Sequence, residues 1–183
     1  MTLVYWAPED LLARLDDVLG VYAEAMDYPA DLVAARRGFV AAHAHYQGFR
    51  AVATLANDDR LLGFAYGYLS AGGQWWHEQV RAGLSPTQAR QWLPDCFELV
   101  ELHVRPEVQG HGIGATQLHA LLEGATESTV LLSTPEAPLA ESRAWRLYRR
   151  NGFDDVLRHF HFPGDDRPFA VLGRTLPLAP AGR

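Results

Sequence analysis

Three glycines in five residues, Gly110, Gly112 and Gly114, stand between an apolar strand-like run, Phe97 to Val104, and a helix-like run, Ala115 to Gly124. Such a loop can turn its backbone N–H groups toward one point just before a helix begins. The first helical amides lack internal partners and the helix dipole is positive at that end, so the point is an anion site suited to a pyrophosphate. A P-loop requires a Lys and then Ser or Thr after its last glycine, and no Lys follows Gly112 or Gly114. A dinucleotide turn requires G-x-G-x-x-G/A, which Gly110, Gly112 and Ala115 meet formally. Five residues, Arg105 to Gln109, nevertheless separate the strand from the first glycine, where that turn is tight. The next strand candidate, Thr129 to Ser133, ends without the acidic residue that a ribose needs. His43-Ala44-His45 and His159-Phe160-His161 are H-x-H pairs without a third ligand at metal-binding spacing, so no metal is expected. Cys96 has no His beside it in sequence and reads as a small buried residue rather than a nucleophile.

The elements around this loop follow from hydrophobic period and turn chemistry. Leu3 to Trp6 reads as an edge strand. Pro8-Glu9-Asp10 opens a helix, with Leu11, Leu15, Val18, Tyr22 and Ala25 at helical spacing and Gly20 as its weak point. A second helix runs from Ala30 to about Tyr46. Arg50 to Ala56 and Leu61 to Leu69 form a hairpin across Asn57-Asp58-Asp59-Arg60. Residues 70–96 form a long excursion between strands, rich in tryptophan, with Ser85-Pro86-Thr87-Gln88 as a helix start. Phe97 to Val104 is the central strand. After the glycine loop come a strand at Thr129 to Ser133, a helix at Leu139 to Arg150 closed by Asn151-Gly152, and two late strands at Val156 to Phe162 and Phe169 to Leu172. Hairpins supply antiparallel neighbours and the βα connections supply a parallel pair. The fold class is therefore α+β (a mixed α/β arrangement), a mixed sheet covered by helices.

Val104, Gln109, Gly112 and Gly114 fall in V-x-x-x-x-Q-x-x-G-x-G, which resembles the acetyl-CoA signature Q/R-x-x-G-x-G/A of the GNAT superfamily of N-acetyltransferases. Ala144, Leu147, Tyr148, Gly152 and Phe153 resemble the family's second signature, A-x-x-L-Y-x-x-x-G-F, with one strand candidate between the two. The resemblance covers residues 97–153 and implies a GNAT-type fold, a central mixed and mostly antiparallel sheet with a splayed parallel pair flanked by helices. It puts the pyrophosphate of coenzyme A on Gln109, Gly110, His111, Gly112, Ile113 and Gly114, with Ala115 close by. It puts pantetheine against the backbone of Leu102, His103 and Val104, where splayed strands leave N–H and C=O groups to be satisfied. It implies direct attack of an amine on the acetyl thioester in a ternary complex, with Tyr148 as the acid for the leaving thiolate. The base should lie on the central strand. Glu101 comes first and Glu98 second; three residues apart in a strand, they face opposite ways. His103 shares the face of Glu101, as a lining residue or a relay through water. The family's usual Asn seven residues before the tyrosine is Glu141 here, which leaves Ser142 as the substitute contact to the cofactor arm. Arg143 and Arg146 stand near enough in sequence to meet CoA phosphates.

The 183 residues suit one acyl-CoA N-acyltransferase domain over 1–174 with a loosely ordered tail over 175–183. The net charge of −6 argues against a general nucleic-acid binder. No apolar run reaches the length of a membrane span, no signal-peptide pattern opens the sequence, and a single cysteine forms no internal disulfide; a cytoplasmic location is the expectation. The expected partner is a small-molecule or peptide amine. Trp75, Trp76 and Trp92 read as core or interface, and exposed aromatics in 70–96 allow a homodimer. A second reading gives those tryptophans, with Tyr22, Tyr28, Tyr46 and the acids Glu24, Asp27 and Glu101, to an acceptor wall. The different-class alternative is a non-catalytic acyl-CoA-binding module, which would keep the loop and lose the acid and base.

Overall fold

The computed structural model describes residues 1–138 and 142–178. Among them, seven strands follow the order β1-β2-β3-β4-β5-β7-β6. They are β1 Thr2–Trp6, β2 Arg50–Leu55, β3 Leu61–Ser70, β4 Cys96–Val104, β5 Thr129–Pro135, β6 Asp154–Phe160 and β7 Phe169–Thr175. β1 lies at the edge, as the short apolar run at the N-terminus predicts. The pairings β1–β2, β2–β3, β5–β7 and β6–β7 are antiparallel, and β4–β5 is parallel. The chain divides into two compact units, one of Met1–Tyr68 with Leu99–Glu123, the other of Leu69–Glu98 with the chain from Gly124 onward. No described helix is long and apolar enough to cross a membrane.

In the first unit, helices α1 (Pro8–Ala13), α2 (Leu15–Met26) and α3 (Ala30–His43) bring Leu11, Val18, Val21 and Val40 onto Trp6, Ala51, Ala53, Phe64 and Tyr66. Strand alternation sends Thr54 the opposite way from Ala53. There Thr54 Oγ1 accepts a hydrogen bond from Gln117 Nε2 of helix α6 (Ile113–Leu122) at 3.1 Å. The N-terminal helical run breaks at Arg14 rather than at Gly20. Arg14 leaves helical geometry (φ −111°), and its side chain is held by Asp17 and by the carbonyl of Asp59. α3 stops three residues short of Tyr46, in tight turns from the His45 and Tyr46 amides to the carbonyls of Ala42 and His43. The β2–β3 hairpin turns through Asp59 at φ 66°, a left-handed conformation that Asp tolerates.

In the second unit, the excursion 70–96 holds two helices, α4 (Trp75–Gly83) and α5 (Pro86–Trp92). α5 starts where Ser85 and Gln88 predict, in a reciprocal capping box at 3.3 and 3.1 Å. α4 is an addition to the sequence reading. It buries Trp76, His77 and Val80 and turns Glu78 and Arg81 outward. Trp76, Val80, Trp92, Cys96, Leu131, Val156 and Val171 form this unit's core. Trp76 and Trp92 are thus core residues, whereas Trp75 is exposed and stands beside Phe162. Helix α7 spans Arg143–Arg150; residues 139–141, the expected helix start and Glu141 among them, lie outside the described residues. β7 reaches Thr175, which pairs with Thr129, and the Leu176 amide donates to Ser128 O at 2.9 Å. Residues 179–183 of the expected tail lie outside the described residues.

Candidate active site

The glycine loop closes onto α6 as an open helix N-terminus. After a 3-10 turn at Pro106–Val108, Gln109 Nε2 donates to Val104 O at 2.9 Å, tying the loop to the end of β4. His111 Nδ1 lies 3.2 Å from Val108 O. Gly110 and Gly112 have φ of 88° and 82°, a region where a Cβ is strained. Gly112 is the N-cap residue and carries no side chain to cap the helix. The first helical bond returns from the Thr116 amide to Gly112 O, so the amides of Ile113, Gly114 and Ala115 have no helical acceptor. Ile113 is buried and anchors the first turn, while Gly112 faces solvent. A Cβ built at Gly112 would meet nothing within 4 Å. A helix N-terminus with three amides to donate and clear space before it is suited to an anion.

β4 carries the charged part of the first unit. Glu101 is 7% exposed. Its Oε1 accepts from Arg36 Nε at 3.0 Å and from Arg36 Nη2, and its Oε2 lies 2.6 Å from His103 Nε2. Burial pushes the Glu101 carboxyl up, but Arg36 and His103 outweigh it and bring the group down to about 2. Glu101 is therefore an ionised carboxylate, which only accepts hydrogen bonds. His103 Nε2 is therefore the donor in this contact. Tyr22 stands edge-on to His103 at 5.2 Å and Phe64 lies 5.6 Å away. Arg36 also lies over the Tyr22 ring at 5.8 Å. Beyond Arg36, His43 Nδ1 is 3.1 Å from the Tyr66 hydroxyl. Burial, helped by Arg36, lowers His43 to about 4, so it is neutral near pH 7.

Arg36 was not among the residues that the sequence singled out, although a signal exists. Val33, Arg36, Val40 and His43 recur at helical spacing on one face of α3, and Val40 is in the core. A charged residue on a half-buried stripe is favoured by a counter-charge beneath it. Of the proposed acceptor wall, Tyr22 meets His103 and Tyr28, and Tyr46 meets His43 and Tyr68. Glu24 is paired with Arg105.

Glu98 and Tyr148 belong to the second unit. Glu98 is 3% exposed and is in register with Leu131 in the parallel β4–β5 pairing. Tyr148 is buried on α7, with its ring 5.6 Å from Phe153. Ser142 caps α7, its oxygen accepting from the Trp145 amide at 3.2 Å, a structural role besides the expected ligand contact. Cys96 is fully buried, and burial pushes its thiol up to about 12, which makes it inert. Of the H-x-H pairs, His159 lies 2.8 Å from Glu136, and no group of three metal-ligating side chains gathers among the described residues.

Comparison with known proteins places this geometry. The family described as Acetyltransferase (GNAT) family matches residues 20–153. The GCN5-like protein acetyltransferase Rv2170 of Mycobacterium tuberculosis is 41% identical over 202 aligned positions, covering 96% of this chain and 98% of that protein. An aminoglycoside 6'-N-acetyltransferase solved with coenzyme A shares the fold at TM-score 0.65 and 15% identity, covering 99% of this chain and 100% of its own. The ribosomal-protein-S18-alanine N-acetyltransferase of Escherichia coli shares it at TM-score 0.65 and 15% identity, covering 97% of this chain and 95% of its own. With both signatures, the seven-stranded mixed sheet and a family match over most of its length, the chain belongs to the GNAT acetyltransferase family.

Proposed function

We propose that this protein transfers an acetyl group from acetyl-CoA to a primary amine of a small molecule or a protein, by direct attack within a ternary complex. The carrying observation is the open N-terminus of α6, with its uncapped amides and the clear space at Gly112. Those features fit a diphosphate, held by the loop Gln109 to Gly114 with Ala115. The family resemblance puts the amides of a pantetheine arm on the backbone of Leu102 to Val104. When bound, acetyl-CoA supplies a thioester carbonyl for the amine to attack. The family supports acetyl transfer, and the name of the Mycobacterium tuberculosis relative, a protein acetyltransferase, favours a protein amine as acceptor.

The roles on β4 divide differently from the first expectation. Glu101, held near 2, is too weak a base to take a proton from an ammonium near neutrality. It serves instead to orient the imidazole, and His103 Nδ1 takes the proton. This arrangement matches a carboxylate that fixes the tautomer of a histidine base. Glu98, set within the paired part of the strand, is left as the alternative base. The Tyr148 phenol, protonated at neutral pH, gives its proton to the departing sulfur. The C–N bond forms and the C–S bond breaks; of the two protons that the ammonium gives up, one is balanced by the proton that Tyr148 gives to the thiolate, and one is released to solvent. A screen of free-thiol release from acetyl-CoA across amines and peptide amines tests the reading. Release above background with at least one acceptor, lost in His103→Ala, is the expected result. Acetyl-CoA binding without release for any acceptor would favour a non-catalytic binding module.

A further inference from the structure

Arg36 leaves the half-buried stripe of α3 and meets one oxygen of Glu101 with two donors, while His103 holds the other oxygen. The first-unit cluster therefore has an order: guanidinium, carboxylate, imidazole. We infer that Arg36 is a positioning residue for proton transfer, which fixes Glu101 against His103 and cancels its charge, so that the imidazole is neutral when it must accept a proton. The inference rests on His103 as the proton acceptor.

Among the described residues, these side chains stand at or near the Glu101–His103 pair. From β4 comes Glu101; from α3 come Arg36 and His43; from α2 comes Tyr22; from β3 come Phe64 and Tyr66. The two phenols are uncharged near pH 7. His43 is neutral there as well, because burial resists its protonation. Glu24 on α2 is taken by Arg105. Of these groups, Glu101 and Arg36 bring the charge to the imidazole. A buried carboxylate alone beside His103 would hold the imidazolium, and a histidine kept protonated is no base. A neutral donor would satisfy Oε1 as a hydrogen-bond partner but would leave that charge standing. Only a cation both satisfies the oxygen and releases the imidazole. An arginine also keeps its charge through any working pH.

The substitution Arg36→Gln retains a donor for Oε1 and removes the charge, and Arg36→Lys keeps the charge. The measurement is the titration of the His103 imidazole by NMR in the free protein, beside the pH profile of kcat/KM with acetyl-CoA and an accepted amine. In Arg36→Gln the titration and the acidic limb should move upward together by about one to two pH units. In Arg36→Lys both should stay near the wild type. In the double variant Arg36→Gln/Glu101→Gln, where the pair is again neutral, the His103 titration should return toward the wild-type value; this readout also serves if Arg36→Gln alone folds poorly. A merely structural arginine would lower stability and leave the titration in place in every variant, and that result would overturn the inference. A titration that moves while the kinetic limb stays fixed would remove His103 as the proton acceptor, and the inference with it.

Discussion

Replacing Gly112 by Asp tests the anion site with the least disturbance to the fold. A Cβ at this position meets no atom within 4 Å, so the carboxylate enters open space before α6. The cost to the fold is conformational. Gly112 has φ 82°, and Asp or Asn adopts this region at a cost on the order of 1 kcal/mol. For a chain of this size that lowers Tm by about 2–4 °C. The cost to binding is electrostatic. At about 5 Å and an effective dielectric constant of about 20, one negative charge beside another costs about 3 kcal/mol. That is roughly a hundredfold in Kd. Asn at the same position carries the same strain and shape without the charge, so it should weaken binding by about tenfold or less. Isothermal calorimetry with coenzyme A on the three proteins, beside thermal melts, separates the two costs. Equal Kd values for Asp and Asn would refute the reasoning, because the difference between them contains only the charge.

Tyr148→Phe should lower turnover by about a hundredfold or more while coenzyme A affinity stays within a few-fold; unchanged turnover would remove the acid assignment. Acid stability should fall in two windows. His43 titrates near 6.5 when unfolded and near 4 when folded, so the native state resists its protonation and stability falls as pH drops through that range. Glu101 is depressed to about 2 from an unfolded value near 4.3, so its contribution is present above about pH 5 and lost toward pH 2. Urea titrations across pH should show His43→Gln flattening the upper window and Glu101→Gln the lower one. Gly63→Ala should destabilise by about 1–3 kcal/mol, because its Cβ would stand 2.7 Å from His103 O and 2.8 Å from Gln117 Nε2. A melt within about 1 °C of the wild type would show that β4 yields there at little cost.

The parts of this molecule written in local sequence were legible. The run from Phe97 through the glycines into α6 needs only an apolar strand, a turn that accepts positive φ and a helix start. Ser85 and Gln88 likewise announce α5 three residues apart. What local pattern does not carry is which distant charge meets which. Glu101 reads as a base because it is a carboxylate on the central strand; that it is also the ion-pair partner of Arg36, 65 residues away, no local pattern carries. Its low pKa is a tertiary property. The break at Arg14 has the same origin, since Asp59 belongs to the β2–β3 turn. α4 escaped notice because its short apolar face, Trp76, His77 and Val80, follows the flexible Gly72-Gly73 and contains a polar-looking histidine.

The five tryptophans are divided unequally, and this gives the molecule a built-in optical asymmetry. Trp6 belongs to the core of the first unit, which contains Arg36, Glu101, His103 and the glycine loop; Trp75, Trp76, Trp92 and Trp145 belong to the second. Trp6 is 9% exposed, with the Arg14 guanidinium 5.9 Å from its ring. In Trp6→Phe the emission comes from the second unit alone, and the difference from the wild-type signal isolates the first. A denaturant curve followed both ways thus records whether the half with the charged cluster melts together with the half that carries Tyr148.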